Sequence, residues 1–234
     1  MRAAARTDVG VTRENNEDFL LIHEALNLFI VSDGMGGYQA GEIASEIAAK
    51  TIMASFKKKE HFNFETDIES LLIEANEAIL AYVKDHSECR GMGTTVVIAY
   101  VVDNEIWVAN VGDSRCYGIS GDSVMQLSED HSLVSELVKI GSISAEEAEK
   151  HPNRNIITSA LGVDRKFEIF KVKHRKADFS HLLLCSDGLS NMVSSNEVLD
   201  VFKRIDFDQI PKVLVDSANA HGGRDNITVV CVEL

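Results

Sequence analysis

Thr94-Thr-Val-Val-Ile-Ala-Tyr-Val-Val102, Asp103-Asn104 and Glu105-Ile-Trp-Val-Ala-Asn-Val111 run without interruption in the middle of a 234-residue chain. The two apolar, β-branched runs are parted by only two turn-forming residues, which predicts a β-hairpin. A hairpin commits the sheet to antiparallel pairing, because parallel strands need a crossover of about a dozen residues or more. Upstream, Phe19–His23 and Leu28–Ser32 read as a second pair joined by a turn near Glu24–Asn27. Downstream, Arg115–Ile119, Ser123–Leu127, Phe167–Val172, Leu182–Cys185 and Ile227–Val232 have the same strand composition.

Helical spacing marks the rest. Ala40–Phe56 places Ile43, Ile47 and Met53 on one stripe. Thr66–His86 opens on Thr66-x-x-Glu69, which reads as a capping box, and then aligns Ile68, Leu71, Leu72, Ala75, Ile79 and Val83. Ser194-x-x-Glu197 caps Val198–Arg204, and a last helix is expected from about Gln209 to Ala220, with Pro211 in its first turn and Gly222-Gly223 as its stop. The long helices must cover the sheets from outside. The predicted fold class is therefore α+β, a four-layer α-β-β-α sandwich of two antiparallel sheets flanked by helices. No Gly/Ser-rich linker divides the chain, and its only prolines are Pro152 and Pro211. A single domain over residues 1–234 is expected.

Charge and cysteine usage narrow the function. A formal net charge of −14 and a pI of about 5.0 oppose nucleic-acid binding, which relies on neutralising phosphates with Lys and Arg. Lys57-Lys58-Lys59 and the run from Lys171 to Lys176 do not reverse that balance, and the second reads as an edge strand guarded by positive charge. Cys89, Cys116, Cys185 and Cys231 form no C-x-x-C pair, which argues against a disulfide framework and for a reducing compartment. Met1–Gly10 lacks an apolar signal core. Thr94–Val102, the longest uncharged apolar stretch, falls far short of the roughly 20 residues that span a bilayer. A soluble, cytoplasmic monomer without a membrane partner is expected.

One small pattern recurs at strand ends. Leu28-Phe-Ile-Val-Ser-Asp33-Gly34 and Leu182-Leu-Leu-Cys-Ser-Asp187-Gly188 each close an apolar strand with Ser-Asp-Gly. Ile106-Trp-Val-Ala-Asn-Val-Gly112-Asp113 ends similarly, and Asp225-Asn226 precedes the strand Ile227–Val232. A single Asp-Gly is ordinarily a turn. Four carboxylates at strand ends are different: if they converge they repel one another, and bound divalent cations remove the penalty. The glycine adjoining Asp33, Asp113 and Asp187 lets the backbone approach an ion. No His/Cys cluster has zinc spacing, so oxygen ligation of Mg²⁺ or Mn²⁺ fits the donor set. Arg13, just before the strand Phe19–His23, has the guanidinium for a bidentate phosphate clamp, or for a surface ion pair with Glu14 or Glu17.

Together, Arg13-x-x-Asn16-Glu17-Asp18, Ser32-Asp33-Gly34-Met35-Gly36-Gly37, Gly91-Met92-Gly93-Thr94-Thr95, Val111-Gly112-Asp113-Ser114-Arg115, Asp130-His131-Ser132, Cys185-Ser186-Asp187-Gly188-Leu189 and Gly223-Arg224-Asp225-Asn226-Ile227-Thr228 resemble the metal-dependent protein phosphatase family (PPM, the protein phosphatase 2C type), in particular its compact bacterial members. The resemblance implies a β-sandwich with two Mn²⁺ or Mg²⁺ ions at one edge, and possession of a third, weaker site. It implies that Asp33 bridges both ions, that Asp187 and Asp225 complete the first site, and that the Gly34 carbonyl with Glu17 or Asp18 serves the second. Asp113 with Asp187 corresponds to the third site, Arg13 to the substrate-phosphate residue, and Asn226 to a residue orienting Asp225 or its water. The implied reaction is hydrolysis of phosphoserine or phosphothreonine in proteins by a metal-activated water, in opposition to Ser/Thr kinases. Leu133–Leu161, with Ser144-x-x-Glu147 and Pro152, resembles the family's flap.

Two positions depart from relatives. Many animal members have His after Asp-Gly as the acid for the leaving alkoxide; here it is Met35, which has no proton to give. Many bacterial members have His where this chain has Tyr38. Tyr38 reads equally as a substitute acid or as a groove-lining side chain, with a metal-bound water as the third source of the proton. His131 reads as a residue that fixes the Asp130-His131-Ser132 turn. Two rival functions stand beside general phosphatase activity: a phosphatase dedicated to one regulatory partner, of the anti-sigma antagonist type, and a non-catalytic pseudophosphatase. The complete set of aspartates counts against the latter.

Overall fold

A computed structural model of the chain describes residues 1–36, 40–163 and 166–234. Two antiparallel sheets pack face to face. The first contains β2 (Asp18–His23), β3 (Leu28–Met35), β5 (Val96–Val102), β6 (Glu105–Val111) and β9 (Phe170–Arg175) in that order, with the short β4 (Gly93–Thr94) paired to β3. The second runs β1 (Arg2–Asp8), β11 (Ile227–Glu233), β10 (His181–Cys185), β7 (Arg115–Ile119), β8 (Val124–Gln126). The helices are α1 (Ala40–Lys58), α2 (Phe64–Asp85), α3 (Leu133–Lys139), α4 (Ala145–Glu149), α5 (Asp187–Ser190), α6 (Ser195–Arg204) and α7 (Ile210–Ala220).

The hairpin forms as expected, with Val102 opposite Glu105 and Asp103 at φ 50°, a left-handed position that Asp tolerates. Alternation along the strands then sorts the side chains. Phe29, Val31, Val97 and Ala99 point into the core between the sheets, against Leu182, Leu184, Val230 and Val232. Their neighbours Leu28, Ile30, Val96 and Ile98 face outward under α1 and α2. On the other side Leu183, Cys185, Val229 and Cys231 lie under α5, α6 and α7. Four layers result, in the order helix, sheet, sheet, helix.

Several elements differ from the expectation. β1 was not foreseen. α2 begins at Phe64 with Asn63 as its cap, Asn63 Oδ1 accepting from the Glu65 N–H at 3.0 Å. Thr66 instead lies inside the first turn, because Phe64 is drawn into a ring cluster with Phe62, Tyr100 and Trp107. β9 starts three residues later than Phe167 and forms the charged edge, where Lys171 pairs with Glu69 and Lys173 with Glu105. The capping boxes at Ser144 and Ser194 are both present. All four cysteines are free and buried. Among the described residues no helix is long and apolar enough to cross a membrane.

Ile98 is fully buried between its sheet and the α1–α2 layer. Ile98→Ala should cost about 2–5 kcal/mol of unfolding free energy in urea titration; a loss below about 1 kcal/mol would mean that this layer is not close-packed.

Candidate active site

Strand direction brings the aspartates together. β3 and β6 each run antiparallel to β5, so their C-terminal ends, carrying Asp33 and the Gly112–Asp113 turn, share one edge. β2 runs antiparallel to β3, with Asp18 directly opposite Asp33. In the other sheet β10 ends at Cys185, just before Asp187, and antiparallel β11 begins just after Asp225. Asp18, Asp33, Asp113, Asp187 and Asp225 therefore collect at one end of the sandwich. They are close enough that Asp33 feels the charge of the other four.

The neighbourhood is desolvated, although Asp33, Asp113, Asp187 and Asp225 are each partly exposed as residues. Burial, then mutual repulsion, raises the acids: Asp187 to about 6, Asp18 to about 7 and Asp113 to about 8. Asp33 is raised well above the usual carboxylate range, by burial first and then by Asp18, Asp187, Asp113 and Asp225. Positive charge near them is limited. Arg13 donates to Asp225 Oδ2 at 2.9 Å. Arg115 lies beside Asp113 and Asp187, but its guanidinium is spent on Asp130 through bonds of 3.0, 3.0 and 2.6 Å.

Neutral side chains hold the acids in place. Thr95 Oγ1 accepts from the Asp33 N–H at 3.1 Å and sits 2.7 Å from Ser114 Oγ, so one threonine ties the Asp33 and Asp113 turns together. Thr94 Oγ1 and the Thr95 N–H both donate to the Asp33 carbonyl at 2.9 Å. Ser186 Oγ donates to Asp18 Oδ2 at 2.7 Å and accepts from the Thr228 N–H at 3.0 Å. Asn191 Nδ2 donates to Asp187 Oδ2 at 3.0 Å. The glycines serve packing of backbone against backbone. A Cβ at Gly34 would meet the Gly41 carbonyl of α1 at 2.1 Å, and one at Gly188 the Asn226 carbonyl at 2.0 Å.

At the rim, the side chain of Asn226 has a wider task than orienting Asp225 or its water. Asn226 does not turn its side chain to Asp225: Oδ1 accepts from the Glu17 N–H at 2.8 Å, while Nδ2 donates to the Val9 and Asn15 carbonyls at 2.9 and 2.8 Å. It staples the loop that presents Arg13, and only its backbone N–H holds Asp225, at 2.9 Å. Glu17 is engaged by the Gly41 N–H at the start of α1, whereas Asp18 is buried in the ring. Tyr38 lies outside the described residues.

Donor chemistry suits hard divalent cations: the ring is all carboxylate, and the buried Oδ1 atoms of Asp18 and Asp187 have no hydrogen-bond partner among the described residues. Among those residues, no group of three or more His, Cys, Asp or Glu side chains stands arranged to hold an ion. The fit rests on the chemistry of the carboxylates and on their unpaired oxygens. Beside Asp113 and Asp187 opens a cavity of about 820 Å³, bounded by α3, α4 and the α5–α6 segment.

The sequence profile of the protein phosphatase 2C family matches residues 11–222. The chain belongs to that family. It is 41% identical to the serine/threonine phosphatase stp of Listeria innocua, covering 100% of this chain and 96% of the relative. It is 38% identical to protein phosphatase PhpP of Streptococcus pneumoniae over 100% and 98%. The structure of serine/threonine phosphatase Stp1 from Staphylococcus aureus superposes with a TM-score of 0.92 at 34% identity, covering 99% of this chain and 94% of the other. The catalytic domain of the serine/threonine phosphatase PstP in complex with two manganese ions gives a TM-score of 0.87 at 31% identity, over 99% and 97%.

The raised acids give this family member a pH signature when metal is removed. Folded carboxyls at about 6, 7 and 8 retain protons that unfolded Asp, near about 3.9, has already released. Their contribution to stability is thus full at low pH and is lost as pH rises through about 6 to 8. His131 and His181, lowered by burial, act oppositely but only below about 6.5. Protein in EDTA should therefore lose thermal stability between pH 6.5 and 8.5, and Mn²⁺ should suppress the loss. A Tm in EDTA that is flat or rising over this window would contradict the protonated ring.

Proposed function

We propose that Asp18, Asp33, Asp113, Asp187 and Asp225 form the cation-binding and catalytic ring of a protein serine/threonine phosphatase. The chain is a metal-dependent phosphoprotein phosphatase that hydrolyses phosphoserine and phosphothreonine. The observation that carries the reading is the gathering of five mutually repelling carboxylates at one desolvated edge with two oxygens unpaired. In this assignment Asp33 would serve both cation positions, Asp187 and Asp225 would hold one, and the Gly34 carbonyl with Asp18 or Glu17 would hold the other. Asp113 with Asp187 offers a third, weaker position. Two Mn²⁺ or Mg²⁺ ions, when bound, supply Lewis acidity that activates water for attack on phosphorus.

The protein's own groups do the positioning. Arg13 presents donors to the phosphate oxygens from a loop held by Asn226 and offsets charge that grows in the transition state. Thr95 and Ser186 keep Asp33 and Asp18 from turning away. Met35 takes no part in proton transfer to the leaving oxygen, and the four buried cysteines supply no nucleophile. A cytoplasmic setting in opposition to a cognate Ser/Thr kinase belongs to the same proposal, supported by the free thiols. Service to one dedicated regulatory substrate is the alternative.

Hydrolysis of p-nitrophenyl phosphate and of a phosphothreonine peptide should require Mn²⁺ or Mg²⁺. Asp187→Asn should lower kcat/KM by at least about 100-fold; activity that survives EDTA, or an active Asp187→Asn enzyme, would falsify the assignment. We further propose one domain over residues 1–234 with a flap subdomain at about 133–161 that tunes substrate choice, since α3 and α4 wall the 820 Å³ cavity and Ile140 at the tip is 74% exposed. Exchange of Ile140–Ile143 for the segment of a relative should change relative kcat/KM among phosphopeptides with little effect on p-nitrophenyl phosphate. Unaltered peptide preference would remove the flap from specificity.

A further inference from the structure

His131 is buried and belongs to none of the groups that hold the ring directly. Its ring Nδ1 accepts from the Gly112 N–H at 3.1 Å, and its backbone N–H donates to the Gly112 carbonyl at 3.0 Å. This two-way clamp grips the residue immediately before Asp113. Gly112 needs it, because the turn stands at φ 96° and is pressed against Thr95, whose Cγ2 would lie 2.6 Å from any Cβ there. Asn110 doubles the tie, with Nδ2 donating to the Gly112 and Glu129 carbonyls at 3.1 and 2.7 Å. On the other side the His131 carbonyl accepts from the Thr158 N–H at 2.9 Å, and Ser132 bridges to Ile157. Both roots of the flap segment thus meet at His131. Its ring accepts from Gly112 only as the neutral tautomer with the proton on Nε2.

We propose that His131 is a positioning residue: through Nδ1 it holds the Gly112–Asp113 turn, and with it the Asp113 carboxylate, where that carboxylate serves cation binding, and it couples the turn to both roots of the flap. The inference rests on the reading of Asp113 as a cation ligand. It departs from the simpler role of fixing a local turn, since the bond spans 19 residues. A ligand-orienting group of this kind influences affinity without touching the ion.

Asn and Gln separate the chemistry. His131→Asn keeps an acceptor near the Nδ1 position, whereas His131→Gln carries its polar group toward the Nε2 end and leaves the Gly112 N–H unmet. Amide deuterium exchange is followed by mass spectrometry on the EDTA-treated protein, and Mn²⁺ binding by calorimetry. Exchange across residues 111–115 should rise about 10-fold in His131→Gln and stay near wild type in His131→Asn, and the weakest Mn²⁺ step should weaken about 10-fold in His131→Gln alone. Equal behaviour of the two variants overturns the clamp. Acceleration spread over the whole chain indicates a general packing role and overturns it as well. Faster local exchange with unchanged Mn²⁺ affinity overturns the link to Asp113. None of these readouts requires turnover, so their failure is distinguishable from failure of the phosphatase assignment itself.

Discussion

Repulsion among the carboxylates at one edge of the sandwich is the constraint to which the rest of the structure answers. Two like charges about 4 Å apart in surroundings of effective dielectric near 20 repel by about 4 kcal/mol. A folded domain is stable by only about 5–15 kcal/mol in total. A few uncompensated pairs would therefore consume the whole margin. Protons or cations must relieve the ring, and the raised acids show the proton alternative. Binding of cations to the folded state and not to the unfolded chain then adds stability by mass action, so the site that threatens the fold becomes part of what secures it.

Holding such a ring open requires a frame that does not relax. Here the frame is the inter-sheet core, where Phe29, Val31, Leu184 and Val230 are fully buried and each lies within a few residues of a ring aspartate or on a strand that ends in one. Close-packed interiors transmit strain rather than absorb it, so the strand ends stay where the pleat puts them. Neutral donors complete the work. Thr95 and Ser186 bond the acids without adding charge, which fixes orientation while leaving the electrostatic demand for cations intact. A lysine at either position would have met that demand internally and removed the need for an ion.

Much of this was legible in the chain, and the limits of legibility are physical. The Asp-Asn hairpin and the Ser-Asp-Gly strand ends are local patterns, and they led to the sandwich and to the aspartates the edge gathers. β1 escaped because Arg2-Ala-Ala-Ala-Arg-Thr-Asp8 has neither alternation nor β-branched density; it is a strand only because β11 pairs with it along its whole length. The start of α2 moved from Thr66 to Phe64 because aromatic packing outweighed a capping signature. Asn226 was legible only in part, since its backbone N–H does hold Asp225. Its neighbour Asp225 suggested a local task, yet its side chain spends both ends on a loop more than 200 residues away. Non-local hydrogen bonds of this kind, including Ser186 to Asp18, leave no trace in spacing.

The two arginines at the edge show how burial assigns roles that charge alone leaves ambiguous. Arg115 makes a bidentate pair with Asp130, whose side chain is only 11% exposed, and also bonds Tyr117. Breaking such a pair strands a buried charge at a cost of about 3–5 kcal/mol, so Arg115 is not free to follow a substrate. Arg13 pairs with Asp225 through one nitrogen, at 51% and 35% exposure. A solvent-exposed pair of that sort contributes roughly 0–1 kcal/mol and exchanges readily. The incoming phosphate carries more charge than Asp225 and offers the geometry that a guanidinium fork matches. Arg13 can therefore trade one partner for the other at little cost, and this mobility, rather than proximity alone, is what suits it to the phosphate-binding role proposed for it.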